Sequence, residues 1–71
     1  MYRDSLLDDL GRVERDVVEG ERQLAEQEAL LVALKRQNED TGKASALLET
    51  MRENQRSREQ ERQRLLALLQ P

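Results

Sequence analysis

The sequence predicts an all-α chain, an antiparallel two-helix coiled-coil hairpin that pairs into a four-helix bundle. Three observations carry this reading. Apolar residues of the first half recur at alternating steps of three and four, from Leu6 through Leu10, Val13, Val17, Leu24 and Leu31 to Leu34, the spacing of a helical seam. A cluster of turn formers and polar residues, Gln37-Asn38-Glu39-Asp40-Thr41-Gly42-Lys43, then breaks the pattern. Beyond it, Arg52 to Arg64 contains no apolar side chain, no Gly and no Pro, but abundant Glu, Arg and Gln. Such a run has nothing to bury and high helix propensity, so it reads as a solvated helix joining two apolar ends.

The first helix is expected over about residues 4–37. Placing Leu10, Val17, Leu24 and Leu31 at the a positions of a heptad puts Leu6, Val13, Gly20, Gln27 and Leu34 at d. Gly20 and Gln27 are the flaws of this seam, and a Gly in a helix interior costs about 1 kcal/mol relative to Ala. Ser5 is a candidate cap, with Asp8 and Asp9 in the first turn, and Lys35 and Arg36 suit the C-terminal end of the helix dipole. The turn is expected at residues 38–40. Asn38 tolerates the left-handed conformation that ends a helix, and Asp40 is a good N-cap for the next one, followed by Thr41.

The second helix is expected over about residues 41–69, with Pro71 following it. Its seam is Ala44, Leu48, Met51, Gln55, Arg58, Arg62, Leu65 and Leu69. So short a turn makes the helices antiparallel neighbours, with facing residues whose numbers sum to about 78. Leu34 then meets Ala44, Leu31 meets Leu47 or Leu48, Gln27 meets Met51, Gly20 faces Arg58, and Val13 meets Leu65. Residues 2–37 carry nine acids and six bases, and residues 41–71 four acids and six bases. The helices therefore attract, and Glu14, Asp16 and Glu21 are expected to reach Arg58, Arg62 and Arg64 across the seam. Within the second helix, Glu49-Arg52, Glu53-Arg56, Glu59-Arg62 and Glu61-Arg64 are spaced to support the bare stretch.

One seam does not use all the leucine. Leu7, Val18, Leu30, Val32, Leu47, Leu66 and Leu68 fall outside it. A hairpin this small is near break-even between burial and chain entropy, so a second copy covering these residues is expected, giving a homodimer.

Composition removes most chemical functions. The chain has 71 residues, 38% of them charged and one of them aromatic, which is the make-up of long helices in a single domain. Cysteine and histidine are both absent. No disulfide, thiolate or ordinary transition-metal site is therefore expected, and Ser5, Ser45 and Ser57 lack a base for nucleophilic catalysis. A net charge of −3 disfavours a grip on nucleic acid. The basic residues Arg52, Arg56, Arg58, Arg62 and Arg64 are interleaved with Glu53, Glu59 and Glu61 and have no aromatic neighbour for base stacking. No apolar run has the length of a signal peptide core or a membrane span, so a cytoplasmic address is expected, without cofactor or small-molecule ligand.

Four local patterns carry a resemblance: Glu19-Gly20-Glu21-Arg22, Gln27 before the apolar run ending at Leu34, Asp40-Thr41 followed by Ala44 and Leu47-Leu48, and Arg62 with Arg64-Leu65-Leu66. Over residues 19–66 the chain resembles a family of short, largely uncharacterised helical proteins common in alpha-proteobacteria. The resemblance implies a small helical hairpin and no activity. Members usually carry Gly where Asn38 stands, an acid where Lys43 stands, and histidines that this chain lacks.

The expected function is thus a non-enzymatic structural or protein-interaction module that self-associates through leucine-rich helix faces. The alternative is a small regulator that presents Glu39 and Asp40 on its tip to a larger machine. Transcription factors that enter the secondary channel of RNA polymerase present acidic coiled-coil tips in this way.

Overall fold

The structure is a computed structural model and describes residues 1–70. Two helices, α1 (Tyr2–Arg36) and α2 (Gly42–Leu69), lie antiparallel in a hairpin measuring 55 × 14 × 14 Å. The bare run Arg52 to Arg64 is helical throughout. Pro71, expected beyond the end of the second helix, lies outside the described residues.

The boundaries differ from expectation where local hydrogen bonds decide them. α1 begins at Tyr2, and Ser5 does not cap it. Its N–H already bonds to the Met1 carbonyl at 3.0 Å, an ordinary i to i−4 helical bond. This early start is tied to the far end of α2, where Arg3 Nη1 donates to the Leu69 carbonyl at 3.2 Å and so satisfies a C-terminal acceptor that has no partner within α2.

The turn is a Schellman motif. Asn38 has φ 56°, the expected left-handed residue. Its N–H donates to the Lys35 carbonyl at 3.2 Å, and the Glu39 N–H reaches back to the Leu34 carbonyl at 3.0 Å. Asp40 acts one step before a cap position: its Oδ1 accepts from the Gly42 N–H at 2.9 Å, while Thr41 occupies the N-cap with no side-chain bond. Helix formation thus starts at Gly42 rather than Thr41, because the Asp40 side chain holds the preceding residue in a tight turn.

Every expected seam position is buried or half-buried, on both helices. Leu6, Leu10 and Leu65 form the core at the open end, packed by Val13, Leu66 and Leu69. Leu48 is buried nearer the tip, with Leu31, Leu34 and Met51 half-buried along the same seam.

The register is shifted from the expected one. Gly20 sits against Gln55, with Arg58 the next neighbour, and Leu10 packs with Leu65. Facing residues therefore sum to about 75 rather than 78, which sets each a residue of one helix opposite a d residue of the other. The Schellman turn is the cause. By bonding Glu39 back to Leu34, it folds the chain back toward α1 before α2 starts, and the three-residue offset amounts to about five-sixths of a turn.

Because Leu65 is the most completely enclosed side chain, at 1% exposure, Leu65→Ala is expected to lower unfolding free energy by about 2–4 kcal/mol in urea melts. Leu68→Ala, on the half-exposed side of the same turn, is expected to stay within about 0.5 kcal/mol of the parent when measured at a protein concentration where any oligomer is dissociated.

Candidate functional site

The middle of the seam is polar, and its geometry follows from one missing side chain. In a helix each Cα–Cβ bond leans toward the N-terminus, so a side chain at position 20 would cover the backbone one turn earlier. Gly20 leaves that backbone open. The amide of Gln55 enters the gap, and its Nε2 donates to the Val17 carbonyl at 2.8 Å. Gln55 is 5% exposed, yet no buried side-chain N or O atom among the described residues lacks a partner. Its Oε1 is satisfied by Arg58 Nη1 at 3.3 Å. A Cβ built on Gly20 would lie 1.9 Å from Gln55 Oε1 and 2.9 Å from Arg58 Nη1, so the cavity is filled.

The second seam flaw is used in the opposite direction. Gln27 Nε2 donates to the Ala44 carbonyl at 3.1 Å in the first turn of α2. Together with Arg3 on Leu69, three side chains cross between the helices to main-chain carbonyls, two from α1 and one from α2. Sequence reading placed Gly20, Gln27, Gln55 and Arg58 on the seam but assigned an arginine stem to the space over Gly20. Gln55 takes it because the shifted register sets position 55 level with Gly20, and because an amide can both donate to Val17 and accept from Arg58.

The expected ion pairs between Glu14, Asp16 or Glu21 and Arg58, Arg62 or Arg64 are not formed. Among the described residues the one bridge across the seam joins Arg52 to Glu28 at 3.8 Å. Arg58 is engaged by Gln55, and Arg64 lies against Glu61 on its own helix, with Nε to Oε2 at 2.9 Å. Of the four expected pairs within α2, Glu49-Arg52 and Glu61-Arg64 are present, whereas Glu53-Arg56 and Glu59-Arg62 are not. On α1, Arg22 bonds to both Glu19 and Glu26, and Arg12 to Asp9 at 2.7 Å. Hydrogen bonding from Arg22 and Arg64 holds the carboxyls of Glu19 and Glu61 below the usual carboxylate range.

The turn residues Asn38, Glu39 and Asp40 are exposed, and Thr41 is half-buried. Asp40 is engaged by Gly42. The off-seam apolar residues do not form one stripe. Leu66 is half-buried and packs on the open-end core, whereas Leu7, Val18, Leu30, Val32, Leu47 and Leu68 are exposed. In the heptad, Leu7 and Leu66 fall at e, Leu30, Leu47 and Leu68 at g, and Val18 and Val32 at b, so they divide between the two edges of the hairpin. No group of acidic residues among those described is arranged to hold a metal ion, and no helix is long and apolar enough to cross a membrane.

Two predictions follow from this geometry. Gly20→Ala is expected to destabilise the parent by about 1 kcal/mol, since the added methyl expels the Gln55 amide. In a Gln55→Ala background the same change is expected to stabilise by up to about 1 kcal/mol, the helix propensity gain alone, so the sign reversal in a double-mutant cycle is the readout. Separately, Glu19 and Glu61 have lowered pKa values in the folded chain, so their contribution is present above the unfolded carboxylate pKa and is lost as pH falls through the folded value. Far-ultraviolet circular dichroism is expected to show a small loss of helix on acidification below about pH 4.5, and the loss should shrink in Arg22→Gln plus Arg64→Gln. No protein-family model matches the chain, and neither characterised proteins nor solved structures supply a match.

Proposed function

We propose that the chain is a non-enzymatic module that self-associates into a four-helix bundle and works as a structural or protein-interaction element. What supports this reading above all is the apolar surface left after the seam is closed. Six leucine and valine side chains outside the seam remain about half exposed or more, on a rod only 14 Å across. Scattered single apolar residues are normal on protein surfaces. Here they accompany a core whose buried apolar side chains are four leucines, and chains of this length with one small core rarely hold more than about 3–5 kcal/mol without further support. A second copy supplies that support with the leucines already in place. The acidic-tip regulator is the competing reading, and it draws on the exposure of Glu39 and Asp40.

Sedimentation equilibrium across a dilution series tests the proposal. The expected mass is twice the 8.3 kDa of the chain at micromolar concentration, with dissociation on dilution. Glu39→Lys with Asp40→Asn is expected to leave that mass unchanged, whereas a folded monomer at micromolar concentration would sink self-association.

A further inference from the structure

Resting on that self-association, we infer that the second copy docks along the hairpin edge that bears Glu14, Glu21, Arg56 and Arg62. Both tips then lie at the same end, and α1 of each copy packs against α2 of the other. A groove runs between the helices at mid-length on this edge, with Val18 exposed and Val17 half-buried in it. Its α1 wall carries Glu14 and Glu21, and its α2 wall carries Arg56 and Arg62. None of these four makes an ion pair among the described residues. On the opposite edge Asp9 pairs with Arg12 and Glu61 with Arg64 within their own helices, which leaves Asp16 as the one acid at a g position there without an ion pair among the described residues. Nearer the tip the groove edge carries the Arg52–Glu28 pair, but at the groove it presents an unpaired acidic wall, two unpaired arginines opposite and apolar surface between them.

A partner for this edge has to present the same pattern reversed. A second copy turned by half a revolution about an axis parallel to the rod does so, laying its basic wall over this acidic wall and its acidic wall over this basic one. The heights agree. Taking Gly20 against Gln55 as the level mark, Glu14 stands within about 1.5 Å along the axis of Arg62 in the second copy, and Glu21 within about 3 Å of Arg56. Glu59, the acid on the basic wall, comes level with Arg15 of the opposing α1 to within about 1.5 Å. At the open end Leu7 comes within about 3 Å of the level of Leu66 in the second copy. Turning the copy about an axis perpendicular to the rod instead sets Glu14 over Glu21 and Arg56 over Arg62, like charges facing at both walls.

The chain has no cysteine, so Glu39→Cys gives one spin label per subunit at the tip. Dipolar spectroscopy on the labelled full chain, with sedimentation on the same sample, is expected to show a dimer with the labels less than about 30 Å apart, the span of neighbouring helices plus two label arms. Glu14→Arg with Glu21→Arg is expected to weaken the dimer at least about tenfold, and adding Arg56→Glu with Arg62→Glu to restore it to within about threefold of the parent. A dimer whose labels lie near or beyond the 55 Å length of the hairpin would overturn this arrangement while leaving self-association standing. Close labels with a double reversal that leaves the mass unchanged would place the contact on the other edge and overturn it too. A monomeric parent would remove both proposals. If the reversed variants fail to fold, the label distance in the otherwise unaltered dimer still decides between the two ends.

Discussion

The hydrogen bond from Gln55 to the Val17 carbonyl is the constraint on which the rest of the hairpin depends. Apolar contact sets the alignment chiefly at the open end, where Leu6, Leu10, Leu65 and Leu69 cluster, because the middle of the α2 seam is Gln55, Arg58 and Arg62 and offers no apolar side chain to fix it. A buried amide does fix it, because an unpaired polar group away from water costs about 1–3 kcal/mol. The gap over Gly20 is the place where this amide meets an open carbonyl, so the polar layer converts a loosely specified seam into one alignment. It acts as a polar residue at a core position does in other coiled coils, setting register at some cost in stability.

Register then decides which surfaces face outward together. With Gly20 against Gln55, the open-end leucines of both helices close on one another, and Leu65 becomes the best-enclosed side chain among the described residues. The same alignment sets Glu14 and Glu21 on one wall of a groove and Arg56 and Arg62 on the other without joining them. Charges that pair within a helix, such as Arg22 with Glu19 and Glu26, stiffen that helix and contribute little else at full exposure. Charges left apart across a groove are the ones free to contribute to recognition.

The fold was largely legible in the residues because its signals are local. Steps of three and four located both seams, and Asn38 announced the left-handed turn residue that the backbone adopts. The register was harder to read. Counting outward from the turn treats the connection as symmetric, whereas the bond from Glu39 to Leu34 draws the chain back along α1 before α2 begins. That offset admitted Gln55 to the space over Gly20, with the Arg58 guanidinium still beside it. The polar node itself left a signal: a Gly and a Gln at seam positions, which propensity alone marks as weaknesses, pair once the helices are aligned. The cap made by Arg3 had no local signal, since its acceptor lies 66 residues away at Leu69. The edge surfaces gave composition but not arrangement, because the split of Leu7 from Leu30 and Leu47 depends on where the seam faces.

The Gln55 clamp closes on main chain, and a carbonyl oxygen is common to all twenty residue types. Val17 therefore contributes its place in the helix to the lock and not its isopropyl group, which stays half-buried on the seam. The demand falls instead on an absence, the bare Cα at position 20. Alignment of the two helices is thus encoded by a vacancy on one and a reach on the other, an asymmetric key that needs no complementary pair of side chains to be maintained in step.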